Sequence, residues 1–468
     1  MTVPIKDISC PVLVTGAGVT GRGIVGLLKQ IGIPVTLADA NREALAQIEA
    51  ELGIITVCEE DLLTNRALFN SYGLVVTSPG WRPDAPLLRA ALEAGLEVIG
   101  DVELCWRLDQ DEVFGNKRRW IVVTGTNGKT TTTAMLAAML NEAGYAAAAV
   151  GNIGVAIADA LIGTHRVDIL VAELSSFQLH WTTTLRPEIG VFLNLAEDHI
   201  DWHGSFNEYA AAKAKVFSAA TAIASKDDDL VKELAKDHEV IFYTLGEPDA
   251  GEVGVSKQWI VDKRNKAVRI APATNIQPHG PAGIADATAA AAAALVAGVS
   301  PEAIQRALAT FSVAGHRGQV VATYRGIVAV DNSKATNPHA ADSALGGFKS
   351  IVWIAGGQLK GADVSEVIRR HAQHIKAAAL LGVDALKIAQ ALADNAPHVK
   401  IQVTQETDPV LAMNEVVEFA VSQASAGDAI VLAPAAASLD MYTGMAQRGD
   451  LFADAIKKYL CFESTRED

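Results

Sequence analysis

Cysteine is scarce in this chain. The four, Cys10, Cys58, Cys105 and Cys461, stand far apart and form no CxxC pair. That spacing excludes a disulfide framework and a zinc knuckle, and it leads us to expect reduced thiols and a cytoplasmic location. Positive charge is also in deficit: 39 Lys and Arg against 54 Asp and Glu give a formal net charge of −15. Such a balance argues against a nucleic-acid or anionic-membrane surface, although a local phosphate cradle remains compatible with it. No uninterrupted apolar run reaches about 18 residues, so no membrane span is expected. The first residues lack a basic segment followed by a long apolar one, so no signal peptide is expected.

Apolar mass and recurring strand–loop–helix units are what the chain does have. Half of the 468 residues are apolar, enough for sizeable cores, and at about 150 residues per domain the length suggests three. The clearest unit is centred on Thr124–Thr133, TGTNGKTTTT. It follows the β-branched run Trp120–Val123 and precedes Ala134–Leu140, a run of strong helix formers. Strand, glycine loop and helix N-terminus make a phosphate cradle. Gly125 and Gly128 let the backbone N–H groups of Thr126, Asn127 and their neighbours turn toward one point, and the helix dipole adds positive potential there. In such a loop Lys129 reaches the outer phosphates and Thr130, followed by Thr131, places a hydroxyl on Mg²⁺. The loop is shorter than the usual P-loop, with Val123 where the first glycine would stand.

An earlier unit runs from the strand Pro11–Thr15 into Gly16-Ala17-Gly18-Val19-Thr20-Gly21, then a helix through Leu28 and a strand Val35–Ala38 ending at Asp39. This is the layout of a dinucleotide-binding βαβ unit, and by itself it fits NAD or another nucleotide equally. The strand Leu74–Thr77 stops at Ser78-Pro79-Gly80, a small-residue turn at the edge where open α/β sheets bind ligands. Polar residues Asp109–Arg119 read as a linker into the phosphate-loop unit.

Within that second unit the strand Asp168–Ala172 ends at Glu173, a carboxylate placed to hold Mg²⁺. The strand Ile189–Leu193 leads to Glu197, Asp198, His199 and Asp201, a concentration of charge that would be costly without a cation. Tyr209 and Lys213 share one face of a helix over Asn207–Phe217. A hairpin is expected around Asp262–Lys266 and an alanine-rich helix over Asp286–Val296, with a boundary near Phe311–Arg317. The last unit opens with a strand ending in Asp331-Asn332-Ser333-Lys334-Ala335-Thr336. Further strands over Ser350–Ala355, Ala378–Leu381 and Asp428–Ala433 follow, two of them leading to Lys360 and to Ser438-Leu439.

Taken together, GTNGKTT, GNIG, ELSSFQL, NLAEDHIDWHG with YAAAK, AGHR, SKATN, GGQLKGAD and APAAASLD resemble, in order and along the whole chain, the Mur ligases of bacterial cell-wall synthesis. SKATN with GGxxKG is similar to the members that add D-glutamate; the DNPR motif of those adding a diamino acid is absent. The resemblance implies an α/β chain of three domains: a Rossmann-like UDP-sugar domain (1–115), a central P-loop-type ATPase domain (116–314) and a Rossmann-like amino-acid-binding domain (315–468). It implies an ATP-dependent ligase that joins D-glutamate to UDP-N-acetylmuramoyl-L-alanine through an acyl phosphate, with two Mg²⁺ ions and a monomeric state.

On that resemblance Thr20, Asp39 and Gly80 contact the UDP-sugar, and Asn152 contacts substrate and the metal shell. Thr130 and Glu173 are ligands of one ion and His199 of the other, with a carbamylated Lys213 beside them. Lys129, Arg317 and Lys334 bring positive charge to the phosphates. Thr336, Lys360, Ser438, Leu439 and Met445 surround the glutamate. Three positions depart from the family pattern: the acid before SKATN is Asp331, one place early; the HNxxN adenine motif is missing, Asp286 being the nearest counterpart of its last Asn; and Met445 replaces an aromatic. A dehydrogenase, a nucleotide-gated binding protein and a folylpolyglutamate synthetase are the competing readings. The first leaves GTNGKT unexplained, and the last should not need a UDP-binding first domain.

Overall fold

The computed structural model describes residues 10–153, 155–274, 276–312 and 315–461; Val313 and Ala314, at the expected second boundary, lie outside them. Its helices and strands alternate and gather into three sheets. The first contains β1 (Val12–Thr15), β2 (Val35–Asp39), β3 (Ile55–Cys58), β4 (Leu74–Thr77) and β5 (Val98–Gly100), in the order β3-β2-β1-β4-β5. All its pairings are parallel. The strand order reverses between β1 and β4, which opens a crevice at their carboxyl ends.

The second sheet contains β6 (Arg119–Thr124), β7 (Ala147–Gly151), β8 (Ile169–Glu173), β9 (Ile189–Phe192), β10 (Thr221–Ser225), β11 (Val240–Thr244), β12 (Val253–Ser256), β13 (Trp259–Asp262) and β14 (Val268–Pro272). Their order is β14-β13-β12-β11-β10-β9-β6-β8-β7. β6 lies between β9 and β8, parallel to both. That explains why it is an unbroken apolar run rather than an alternating one: both faces are covered. β13 and β14 form the expected antiparallel hairpin. The third sheet contains β15 (Gln319–Tyr324), β16 (Ile327–Asp331), β17 (Ile351–Gly356), β18 (Ile375–Leu381), β19 (Lys400–Val403) and β20 (Ala429–Leu432), in the order β15-β16-β20-β17-β18-β19.

By its contacts the chain forms two compact units. One holds the first two sheets and the other holds the third. The chain passes between them after Pro272, inside the helix Pro281–Val296 between Ala285 and Asp286, and after Leu308.

The stretch Asp109–Arg119 connects the helix Asp101–Gln110 to β6 as the expected linker, exposed over residues 115–117, but its ends are buried. Asp109 is fully buried and accepts from Arg118 Nη1 at 2.8 Å and from Trp120 Nε1 at 2.9 Å. Nearby, the buried Glu103 accepts from the backbone and hydroxyl groups of Thr183 and Thr184 and from Arg107 Nε. Charges buried this deeply persist only when paired and hydrogen-bonded, and here they join the first sheet's last helix, Asp101–Gln110, to the second sheet's surroundings. One apolar cluster likewise runs from Val12 and Leu104 to Trp120 and Leu170.

Candidate functional site

The loop after β6 folds as a phosphate cradle. Gly125 and Gly128 adopt φ values of 157° and 82°, which favour glycine. Gly128 also lacks room for a side chain: a Cβ there would stand 2.2 Å from Asp286 Oδ1, so Asp286 packs directly against the loop. The helix Lys129–Glu142 begins at this glycine, with no side-chain cap on its first N–H groups. The side chain of Asn194, just past β9, accepts from Asn127 N–H at 2.8 Å and donates to the Asn127 carbonyl. Thr126 Oγ1 meets Tyr209 Oη at 2.9 Å. The loop is thus held from beneath: Asn194 takes the N–H groups of Thr126 and Asn127 through its carbonyl and its side chain, which fixes the backbone and spares a phosphate at the helix N-terminus the cost of ordering it.

Lys129 Nζ donates to the carbonyls of Gly125 and Thr126. Lys213, 2% exposed, reaches the same place from the helix Phe206–Ala214, donating to Gly125 O at 2.6 Å with its Nζ over the Tyr209 ring. Burial, followed by the charge of Lys129, holds the Lys213 amine well below the usual lysine range.

Glu173, at the end of β8, is 2% exposed. Its Oε1 accepts from Asn152 Nδ2 at 3.1 Å, and its Oε2 is buried with no hydrogen-bond partner among the described residues. A buried carboxylate oxygen left unsatisfied is expensive, and a hard cation would satisfy it. Thr130 stands in the first turn of the neighbouring helix, so Glu173 and Thr130 fit Mg²⁺ by their chemistry. His199 caps the short helix Ile200–His203 with φ 54°, a strained value for a residue with a Cβ. Its ring lies 4.7 Å from that of Phe177.

The charge concentration expected after β9 does not form a metal cage. Glu197, His199 and Asp201 are exposed, and no group of three or more His, Cys, Asp or Glu able to hold a metal occurs among the described residues.

In the first sheet the crevice between β1 and β4 is a cavity of about 460 Å³. Thr20, Asp39 and Gly80 all line it, together with Ser78 and Trp81. Both carboxylate oxygens of Asp39 accept backbone N–H bonds, from Ala17 and Asn41, so Asp39 shapes the turn as well as facing the cavity. Trp202 Nε1 donates to Gly80 O at 3.3 Å. The wall of this cavity is therefore bonded to the helix that follows His199.

In the third sheet β16, β20 and β17 are neighbours, which sets the loops bearing Thr336, Ser438 and Lys360 side by side. Asn337, not Thr336, caps the helix Pro338–Leu345, so the Thr336 hydroxyl is not used as its cap. Ser438 is buried, while Lys360, Leu439 and Met445 are exposed. Asp331 is 1% exposed, with Oδ2 2.7 Å from His316 Nδ1 and Oδ1 accepting from Ser333 N–H. Its carboxylate is engaged within its own unit, and His316 O in turn accepts from the Lys334 N–H.

Sequence reasoning missed Arg448. This fully buried guanidinium donates to Ser333 Oγ and O, Gly356 O and Ala436 O, bracing all three loops at once. A lone Arg in a helical stretch carries no signal of that role.

Three family models match the chain: the Mur ligase MurD-like N-terminal domain over residues 10–100, the Mur ligase middle domain over 123–282 and the Mur ligase glutamate ligase domain over 316–436. A protein of Corynebacterium diphtheriae named UDP-N-acetylmuramoylalanine--D-glutamate ligase is 57% identical over 98% of both chains. One of the same name from Thermobifida fusca is 45% identical over 95% of this chain and 98% of its own. Among solved structures, the UDP-N-acetylmuramate-alanine ligase MurC of Thermotoga maritima shares the fold, with TM-score 0.54 and 17% identity over 96% of this chain and 99% of that one.

Proposed function

This chain belongs to the Mur ligase family, and from that premise we infer that it joins D-glutamate to UDP-N-acetylmuramoyl-L-alanine with hydrolysis of ATP, in peptidoglycan precursor synthesis. The observation that carries the reading is the pre-set phosphate loop beside Glu173, whose Oε2 lacks a partner among the described residues.

A carboxylate forms an amide slowly because its oxygen is a poor leaving group. Here the substrate carboxylate attacks the γ-phosphorus of ATP, ADP departs, and an acyl phosphate results. The uncharged amine of D-glutamate then adds to the acyl carbon, and the tetrahedral intermediate collapses with loss of inorganic phosphate and a proton. Both steps depend on positioning and on neutralising developing negative charge. The N–H groups at the start of the helix Lys129–Glu142 orient the phosphates, and Lys129 turns from the loop carbonyls toward the transferring group. Bound Mg²⁺ supplies Lewis-acid charge neutralisation, with Thr130 and Glu173 as ligands of one ion and His199 of a second. Asn152 keeps Glu173 oriented.

The reading includes a carbamate on Lys213, whose buried amine favours the uncharged, nucleophilic form. Asp286, Arg317, Asp331 and Lys334 serve the nucleotide; Thr336, Lys360, Ser438, Leu439 and Met445 serve the glutamate. Domain limits at 1–115, 116–314 and 315–468, a monomeric state, a cytoplasmic location and no nucleic-acid partner complete it; the acidic balance of the chain supports the last of these. No described helix is long and apolar enough to cross a membrane. The test is ADP release measured against a panel of amino acids. Release that requires both UDP-N-acetylmuramoyl-L-alanine and D-glutamate is expected; release with neither, or with a folate substrate instead, refutes the reading.

A further inference from the structure

The buried arginines of this protein are not alike. Arg107 meets Glu103 at 2.9 Å, and Arg118 meets Asp109 at 2.8 Å. Arg448, 0% exposed, meets no carboxylate at salt-bridge distance among the described residues. Its bonds go to neutral oxygens: Ser333 Oγ and O, Gly356 O and Ala436 O. The acids that act on it from farther off are already engaged. Asp331 bonds to His316 and to the Ser333 N–H, and Asp440 accepts from the Val383 N–H at 2.9 Å. Burial pulls the guanidinium from 12.5 down to about 10, opposed by Tyr442, Asp440 and Asp331, so it stays charged at neutral pH. The protein thus holds a desolvated cation without a counter-ion, which is costly in itself. Neutral acceptors account for the bracing and leave the charge unanswered. The oxygens that Arg448 grips open the loops carrying Thr336, Lys360 and Ser438, which stand side by side after β16, β17 and β20. An anion held in those loops lies over a positive field that the protein interior screens weakly.

We propose that Arg448 is a specificity-determining residue that does not touch the ligand: its uncompensated charge beneath the three loops selects an amino acid bearing a second carboxylate. This rests on the glutamate reading of those loops. Binding of the dianion supplies the counter-charge that the fold withholds, so part of the cost of burying Arg448 is recovered only when such a ligand is present. D-Glutamine has the same shape and an uncharged side chain, and it gains less from the field. A unit charge in weakly screened surroundings is enough to separate the two ligands by about tenfold.

The test uses ADP release by the intact enzyme to measure KM for D-glutamate and the inhibition constant of D-glutamine, whose ratio reports selectivity for the second carboxylate. Arg448→Gln removes the charge. Ser333→Asp keeps the guanidinium and its bonds to the loops but sets a carboxylate where Ser333 Oγ now stands, 3.0 Å from Nε. Arg448→Lys keeps the charge and gives up most of the bracing. Selectivity for D-glutamate should fall about tenfold in Arg448→Gln and in Ser333→Asp and stay near the parent value in Arg448→Lys, with KM for ATP unchanged in all three. Where Arg448→Gln does not fold, Ser333→Asp decides alone. Selectivity unchanged in a folded Ser333→Asp protein overturns the proposal while leaving the glutamate reading intact. An equal fall in Arg448→Lys assigns the effect to bracing and overturns it as well. ADP release by the parent enzyme that does not require D-glutamate removes the glutamate reading itself, and the proposal with it.

Discussion

Lys213 and Lys129 share one acceptor, the carbonyl oxygen of Gly125, at Nζ–O distances of 2.6 and 2.9 Å. Two ammonium groups converging on one oxygen repel each other, and only Lys129 is partly open to water. The burden falls on Lys213, whose amine is driven toward the uncharged form. An uncharged amine attacks CO₂, losing a proton to give a carbamate that reverses the charge and relieves the conflict.

Carbamylation is the first prediction from this pair. Protein prepared with ¹³CO₂ should show a carbamate resonance that is lost in Lys213→Ala. That variant should lose most activity and regain part of it with added short carboxylic acids, which supply the missing oxygens. Full activity without rescue refutes the carbamate.

Lys129→Ala should lower the rate on the order of 10²–10³-fold, the usual effect of removing a group that stabilises developing charge. Lys129 is partly exposed and its bonds go to loop carbonyls, so the melting temperature should change little. Near-normal ADP release by a folded variant would take this loop out of the mechanism.

The glutamate side is tested through Lys360. Both carboxylates of D-glutamate need donors, and a site built to bond a polar group discriminates strongly against an analogue lacking it. Lys360→Ala should raise KM for D-glutamate far more than KM for ATP, and D-alanine should be a very poor substrate of the parent enzyme. Equal effects on both KM values would place the glutamate elsewhere.

Asp101 sets a pH dependence of stability. Its carboxylate opens the helix Asp101–Gln110, with Oδ1 buried and lacking a partner among the described residues. Burial raises its pKa from 3.8 to about 6, partly offset by backbone N–H groups and by Gln178. The folded state therefore binds the proton more tightly than the unfolded one. This site's contribution is full below the unfolded value, falls as pH rises toward about 6, and is constant above it. Asp101→Asn removes the ionisation and should stabilise the protein at neutral pH by on the order of 1–3 kcal/mol, with little gain in acid. Denaturant titrations across that range give the difference; a gain that does not depend on pH would show that the carboxylate was not the cause.

Local order in the sequence was enough to reveal the phosphate loop, the strand before it and the helix after it. Glycine geometry, a β-branched run and helix formers act over a few residues, and β6 and the helix Lys129–Glu142 follow from them. The short strands β12 and β19 were not legible, because segments of four residues acquire their conformation from the neighbours they pair with. The reading of Asp109–Arg119 as a linker holds for its exposed middle, residues 115–117, but composition registers polarity and gave no sign that Asp109 and Arg118 at its ends are buried with Trp120. Motif order along the chain identified the family and named the residues. Only the tertiary structure could decide that Lys213 meets Gly125 across 88 positions of sequence, that Asn152 bonds to Glu173, and that Arg448 ties three loops together. Those contacts arise from strand order and helix packing, and no local pattern encodes a partner that distant.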